Sequence, residues 1–158
     1  DSVTGLYNRM GYQKLSISYF TIMREKKMPV LVMFIDLDRL KYINDTFGHE
    51  YGDFAIVSIA KAMLKHCDAD AIAARTGGDE FIVLEGAKDE ESGRVLAQKI
   101  RTELSKTQRA MQLPFDLGAS IGAVVAHPGE ENVLESYVKR AEMLMYEEKA
   151  EKKVSRDS

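Results

Sequence analysis

Ala74-Arg75-Thr76-Gly77-Gly78-Asp79-Glu80-Phe81-Ile82-Val83-Leu84 places a glycine pair and two adjacent carboxylates between apolar arms. That order predicts strand, tight turn, strand, with the acids at the turn. Gly77 and Gly78 allow positive φ and leave room for a bulky ligand to approach the backbone. Two acids side by side repel each other, and a bound cation or a phosphate–metal complex would relieve that repulsion. The plainer alternative is a solvated hairpin turn, and the rest of the chain decides between them.

The 158 residues fit one domain, 1–158, with a sizeable core. A hydrophobic fraction of 45% and a charged fraction of 30% place the chain among soluble globular proteins. A net charge of −3 gives no general affinity for nucleic acid or an anionic membrane. Cys67 is the only cysteine, which excludes an internal disulfide and a cysteine metal cluster. It is expected to be a buried or half-buried thiol. No apolar run approaches the ~18 residues of a membrane span and no signal peptide is visible, so a cytoplasmic domain without membrane contact is expected. The opening Asp1-Ser2-Val3-Thr4 lacks an initiator methionine. It reads as a fragment of a longer protein with upstream regulatory domains, and a membrane anchor elsewhere in that protein is left open.

Outward from the glycine turn, Ala71–Ala74 and Phe81–Leu84 form its two strands. Val30-Leu31-Val32-Met33-Phe34-Ile35 is a continuous apolar run of the length of a buried strand. Leu117–Ala126 reads as another strand. Helical spacing marks a segment before Pro29, one from Arg39 to Thr46 that Gly48 stops, and one opening at Gly52-Asp53. A fourth carries Val95, Leu96, Ile100 and Leu104, and a long last one starts near Val133. The charged tail from Lys149 is expected to fray. Setting the first helix aside, the order is βααββαβ. That is an α+β class with a ferredoxin-like, palm-type, antiparallel-rich central sheet flanked by helices.

Asp36 follows a buried strand, a common place for an acid that holds a metal beneath a nucleotide. With Asp79 and the Leu37 carbonyl it would supply the hard oxygen ligands that Mg²⁺ takes, and Mn²⁺ would also fit. The alternative for Asp36 and Asp38 is to cap the next helix, and Asp38 suits that role better. Lys41 and Asn44 share a helix face. Asn44 has the donor and acceptor to read a base edge. Asp53 suits the paired N1 and N2 donors of guanine, or is simply an N-cap or first-turn acid. His49 alone is more often structural. Lys149, Lys152 and Lys153 suit a helix C-terminus, and Lys149 or Lys153 would reach phosphate only if that end returned to the site.

Gly77-Gly78-Asp79-Glu80-Phe81 resembles the signature of the GGDEF family, and other family motifs occur in order. Asp1 to Arg9 resembles D-x-L-T-G-L-x-N-R. Asp36 to Asp45 resembles D-x-D-x-F-K-x-x-N-D, with Leu40 for the Phe. Gly48-His49, Gly52-Asp53 and Ser120-Ile121-Gly122 match further positions. Ala141 to Lys149 resembles A-D-x-A-L-Y-x-A-K, with Glu142 for the Asp.

The resemblance covers essentially the whole chain and implies a diguanylate cyclase, similar in fold to nucleotidyl cyclases. Two GTP would condense to cyclic di-GMP with release of two pyrophosphates, across a homodimer. It implies that Asp36, the Leu37 carbonyl and Asp79 hold Mg²⁺, and that Asp79 or Glu80 helps deprotonate the ribose 3′-hydroxyl. Asn44 and Asp53 would read guanine, with His49 nearby. Lys41 and Lys149 would offset phosphate charge, and Gly77 and Gly78 would give the phosphates room. Two departures stand out. The family's last helix usually continues into Gly-Arg-Asn, whereas Ala150-Glu151-Lys152-Lys153 follows here, so Lys153 would replace a phosphate-binding Arg without its bidentate fork. The inhibitory Arg-x-x-Asp of many relatives is matched by Asp68-Ala69-Asp70-Ala71, which implies no product inhibition at that position. The alternative to an active cyclase is a weak or inactive GTP-binding regulatory module.

Overall fold

The apolar run beginning at Val30 becomes the central strand β1 (Val30–Leu37), buried along its whole length in this computed structural model, which describes residues 1–157. The strand outlasts the apolar run by two residues because Asp36 keeps pairing on both sides and Leu37 with Ala119. The glycine turn joins β2 (Ile72–Arg75) to β3 (Glu80–Gly86), and Ala119–Ala126 forms β4. The sheet order is β2-β3-β1-β4, antiparallel throughout. This is the ferredoxin-like topology expected from βααββαβ.

Among the described residues five helices cover the sheet: α1 (Arg9–Glu25), α2 (Leu40–Phe47), α3 (His49–His66), α4 (Ser92–Ala110) and α5 (Leu134–Asp157). Alternation along β1 sorts them into two layers. Leu31, Met33, Ile35 and Leu37 face a core built with Ile59 and Met63 of α3 and Ile100 and Leu104 of α4. Val30, Val32 and Phe34 face the other, with Phe20 and Met23 of α1 and Tyr137, Ala141 and Met145 of α5. Gly122 lets α5 lie on β4, since a Cβ there would sit 2.0 Å from the Ala141 carbonyl oxygen. Asp36 belongs to the second set by register, so its side chain continues the α5 face.

Two expectations change, and the glycine turn takes a form that the sequence left open. The tail does not fray: α5 runs through Lys149 to Asp157, tied down by ion pairs distant in sequence. The helix expected to open at Gly52-Asp53 already begins at His49. Gly48, at φ 103, ends α2 by giving its N–H to the Asn44 carbonyl at 3.0 Å and starts α3 at once. The glycines with positive φ are Gly5 and Gly48, so Gly77 and Gly78 turn without it.

Candidate active site

The antiparallel pairing of β1 with β3 sets Asp36 opposite Glu80, and the turn brings Asp79 alongside. The Leu37 N–H donates to the Asp79 carbonyl at 2.9 Å, which fixes that approach. Carboxylate oxygens of Asp36, Asp79 and Glu80 lie within 4.8 Å of one another. Asp36 is 4% exposed. Its Oδ1 is buried without a hydrogen-bond partner, although the Lys149 ammonium lies 3.0 Å away, an ionic contact outside hydrogen-bonding directions. Burial is the main cause that pushes the Asp36 carboxyl up to about 6; Lys149 opposes that shift and the Asp79 charge adds to it. The Glu80 carboxyl is also raised, by burial first, then by Asp79 and Glu142. Three converging acids with an orphaned buried oxygen fit a divalent cation.

The turn itself is held from behind. Arg75 donates from Nε to the Gly77 and Gly78 carbonyls, each at 3.2 Å, and from its terminal nitrogen to Gly78 at 2.9 Å. The Asp1 carboxylate pairs with it at 3.4 Å. Gly78 faces open space, with nothing within 4 Å of an added Cβ, while one on Gly77 would meet Glu80 Oε2 at 3.2 Å. Here the glycines act through the room they leave.

A second cluster stands where α2 meets α3. Asn44 lies against Gly52, where a Cβ would fall 1.7 Å from Asn44 Oδ1. Asp53, beside it, is exposed in the second turn of α3 and His49 opens that helix. Asp53 is thus not an N-cap. Lys41 is exposed near the start of α2, and Lys153 is exposed one turn beyond Lys149 on α5. Lys149 therefore joins the acids, while Asn44 and Asp53 share the α2–α3 junction.

Asp38 does not cap α2, whose N-cap residue Arg39 makes no side-chain cap. Its carboxylate instead accepts from Ser120 Oγ at 2.7 Å and from Lys152 Nζ at 2.7 Å. Sequence reasoning left Lys152 among generic helix-end cations. The one available signal was its spacing of three from Lys149, which puts both on one helix face. Arg75 was also overlooked, since an arginine before a turn carries no distinctive pattern.

A palm-type sheet ending in clustered carboxylates, with a helix that brings a lysine onto them, is the arrangement of nucleotidyl cyclase catalytic domains. The chain belongs to the GGDEF domain family, described as diguanylate cyclase, which matches residues 1–155. Diguanylate cyclase VdcA of Vibrio cholerae is 34% identical over 153 residues, covering 94% of this chain and 43% of VdcA. The cyclic di-GMP phosphodiesterase NbdA of Pseudomonas aeruginosa is 28% identical over 150 residues, covering 95% of this chain and 19% of NbdA. Among solved structures, the GGDEF domain of DgcB from Caulobacter crescentus, in complex with c-di-GMP, superposes with a TM-score of 0.77 at 25% identity, covering 95% of this chain and 89% of that one. The chain spans less than half the length of these two curated relatives. Among the described residues, no helix is long and apolar enough to cross a membrane.

Proposed function

We propose that this domain condenses two GTP into cyclic di-GMP and two pyrophosphates, with one nucleotide bound by each of two copies. In each half-reaction a ribose 3′-oxygen forms a bond to the partner nucleotide's α-phosphorus. The bond from that phosphorus to the β-phosphate oxygen breaks, and the hydroxyl proton passes to a carboxylate and on to water. The observation that carries the reading is the convergence of Asp36, Asp79 and Glu80 around an orphaned buried oxygen. Bound Mg²⁺, or Mn²⁺, would neutralise phosphate charge between Asp36, the Leu37 carbonyl and Asp79.

The chain's own groups do the rest. Glu80, held above the ordinary carboxylate range, or Asp79 beside it, accepts the 3′-hydroxyl proton. Lys149, already on the cluster, and Lys41 and Lys153 offset triphosphate charge. The space over Gly78 takes the phosphates. Asn44 and Asp53 read the guanine edge, with His49 beside them. Each copy holds half of the reacting pair, so a homodimer is required, and an upstream regulatory domain would promote it by raising effective concentration. Nothing in the charge pattern invites nucleic acid or membrane.

The test is to incubate purified domain with GTP and Mg²⁺ at high protein concentration and to assay cyclic di-GMP. Product from the wild type and none from Asp79→Ala is expected. GTP binding without turnover in an enforced dimer would establish the regulatory-module alternative. A mixed product in a GTP-plus-ATP assay would remove Asp53 as a guanine reader.

A further inference from the structure

The last turns of α5 carry an ion-pair chain that the reaction above does not use. Lys152 Nζ donates to Asp38 Oδ2 and to the Ala119 carbonyl, both at 2.7 Å, and lies 3.2 Å from Glu148 Oε1. Two hydrogen bonds and one ionic contact thus surround the ammonium. Each partner is anchored in turn. Ser120 Oγ holds Asp38 at 2.7 Å. Arg101 of α4 grips both oxygens of Glu148, at 2.6 and 2.7 Å, and Glu148 Oε2 also accepts the Ile121 N–H at 3.1 Å. Lys152 thereby ties the exit of β1 and the edge strand β4 to α5, and through Glu148 to a helix of the opposite layer.

Its placement relative to the acid cluster is what matters. Asp38 lies two residues after Asp36, and Lys152 three residues after Lys149. The pairs Lys149–Asp36 and Lys152–Asp38 therefore form successive rungs between α5 and the end of β1, at 3.0 and 2.7 Å. The turn after Asp38 needs holding. Arg39 sits in the left-handed region at φ 58, which costs a non-glycine residue about 1 kcal/mol or more, and α2 has no side-chain cap there. The Asp38 side chain is 14% exposed, so without its cation it would present a poorly screened negative charge beside the cluster.

We propose that Lys152 is a positioning residue for nucleotide binding. It neutralises Asp38, so that a triphosphate meets no unpaired carboxylate beyond Lys149, and it separately latches the end of α5 to the β1–α2 turn. This rests on the reading of the domain as a GTP-binding cyclase. It also assigns a role to a residue standing where relatives usually carry the glycine of Gly-Arg-Asn.

The experiment compares wild type, Lys152→Met, Lys152→Arg and the double variant Asp38→Asn/Lys152→Met. For Lys152→Met, the KM for GTP should rise about tenfold with kcat within about twofold. Lys152→Arg should retain most of the affinity. The double variant should return KM to within about threefold of wild type, because the repelling charge leaves with its partner. In the nucleotide-free protein, amides of residues 150–157 should exchange at least about tenfold faster in Lys152→Met. Unchanged KM and unchanged exchange would overturn the proposal. So would a double variant no better than the single one, which would reduce Lys152 to packing. Calorimetry with a GTP analogue and Mg²⁺ separates the two readings. A wild type that binds the analogue without turnover fails the cyclase reading, while Lys152→Met still must bind about tenfold more weakly. A wild type that binds nothing overturns both.

Discussion

Asp36 and Glu85 are buried acids near opposite ends of the β1–β3 ladder, 4% and 8% exposed, yet the molecule handles them differently. Burial is the largest cause raising the carboxyl of each. Glu85 is bonded: its Oε1 accepts the Asp68 N–H at 3.0 Å and holds the connection from α3 to β2. Asp36 keeps Oδ1 without a hydrogen bond, in ionic contact with Lys149 alone, and has Asp79 and Glu80 beside it. A buried acid that closes a backbone donor serves the fold. One crowded by like charges and met by a single half-exposed cation is maintained at a cost to stability, which is the pattern of a functional site.

Asp36→Asn gives the sharpest break in that comparison. The folded protein holds the Asp36 proton up to about pH 6 against 3.8 for the ordinary carboxyl. Between those values the native state binds more protons than the unfolded chain, so this group's contribution to stability falls as pH rises through 6. At pH 7.5 the ionised acid is a liability in metal-free protein. Asp36→Asn should therefore be more stable than wild type in chelator by about 1–3 kcal/mol, read by urea denaturation. Its cyclase activity should fall by at least about a thousandfold. A variant less stable than wild type in chelator would make Asp36 an architectural acid of the Glu85 kind.

Gly78→Ala is the next largest effect and separates space from turn geometry. The residue has no positive φ and nothing within 4 Å of an added methyl. The melting temperature should hold within about 2 °C, a change of under 1 kcal/mol for a domain of this size. The KM for GTP should rise about tenfold as the methyl meets the phosphates. A large loss of stability with unchanged KM would return Gly78 to an ordinary turn residue.

Local pattern carried most of the fold. The run at Val30, the glycine turn and the 3.6-residue stripes foretold the element order, and βααββαβ leaves few ways to arrange four strands. What escaped was whatever depended on distant partners. Fraying after Lys149 is the right reading of a charged segment alone, and it fails because Asp38 and Ala119, more than thirty residues away in sequence, capture Lys152. Asp38 looked like a cap because capping is local, yet its partners lie on β4 and α5. Within the site, Asp36, Asp79 and Glu80 were legible as acids at a strand end and a turn. The grip of Arg75 on the glycine-loop carbonyls was not, since backbone acceptors leave no trace in sequence.

Glu85→Gln is the control that should change least. The amide oxygen still accepts the Asp68 N–H, and removal of a raised, buried carboxyl offsets any weakening of that bond. Stability at pH 7.5 should stay within about 1 kcal/mol of wild type and turnover within about twofold. The same end of the sheet should also be indifferent to product. Asp68-Ala69-Asp70-Ala71 offers carboxylates and no arginine, so a doubly anionic cyclic dinucleotide meets like charge there. Initial rates should not change on adding cyclic di-GMP. Strong inhibition that Glu85→Gln or Asp70→Asn modulates would show that the bonded acids at this end also handle a ligand, and the contrast with Asp36 would then be one of ligand type and no longer one of fold against site.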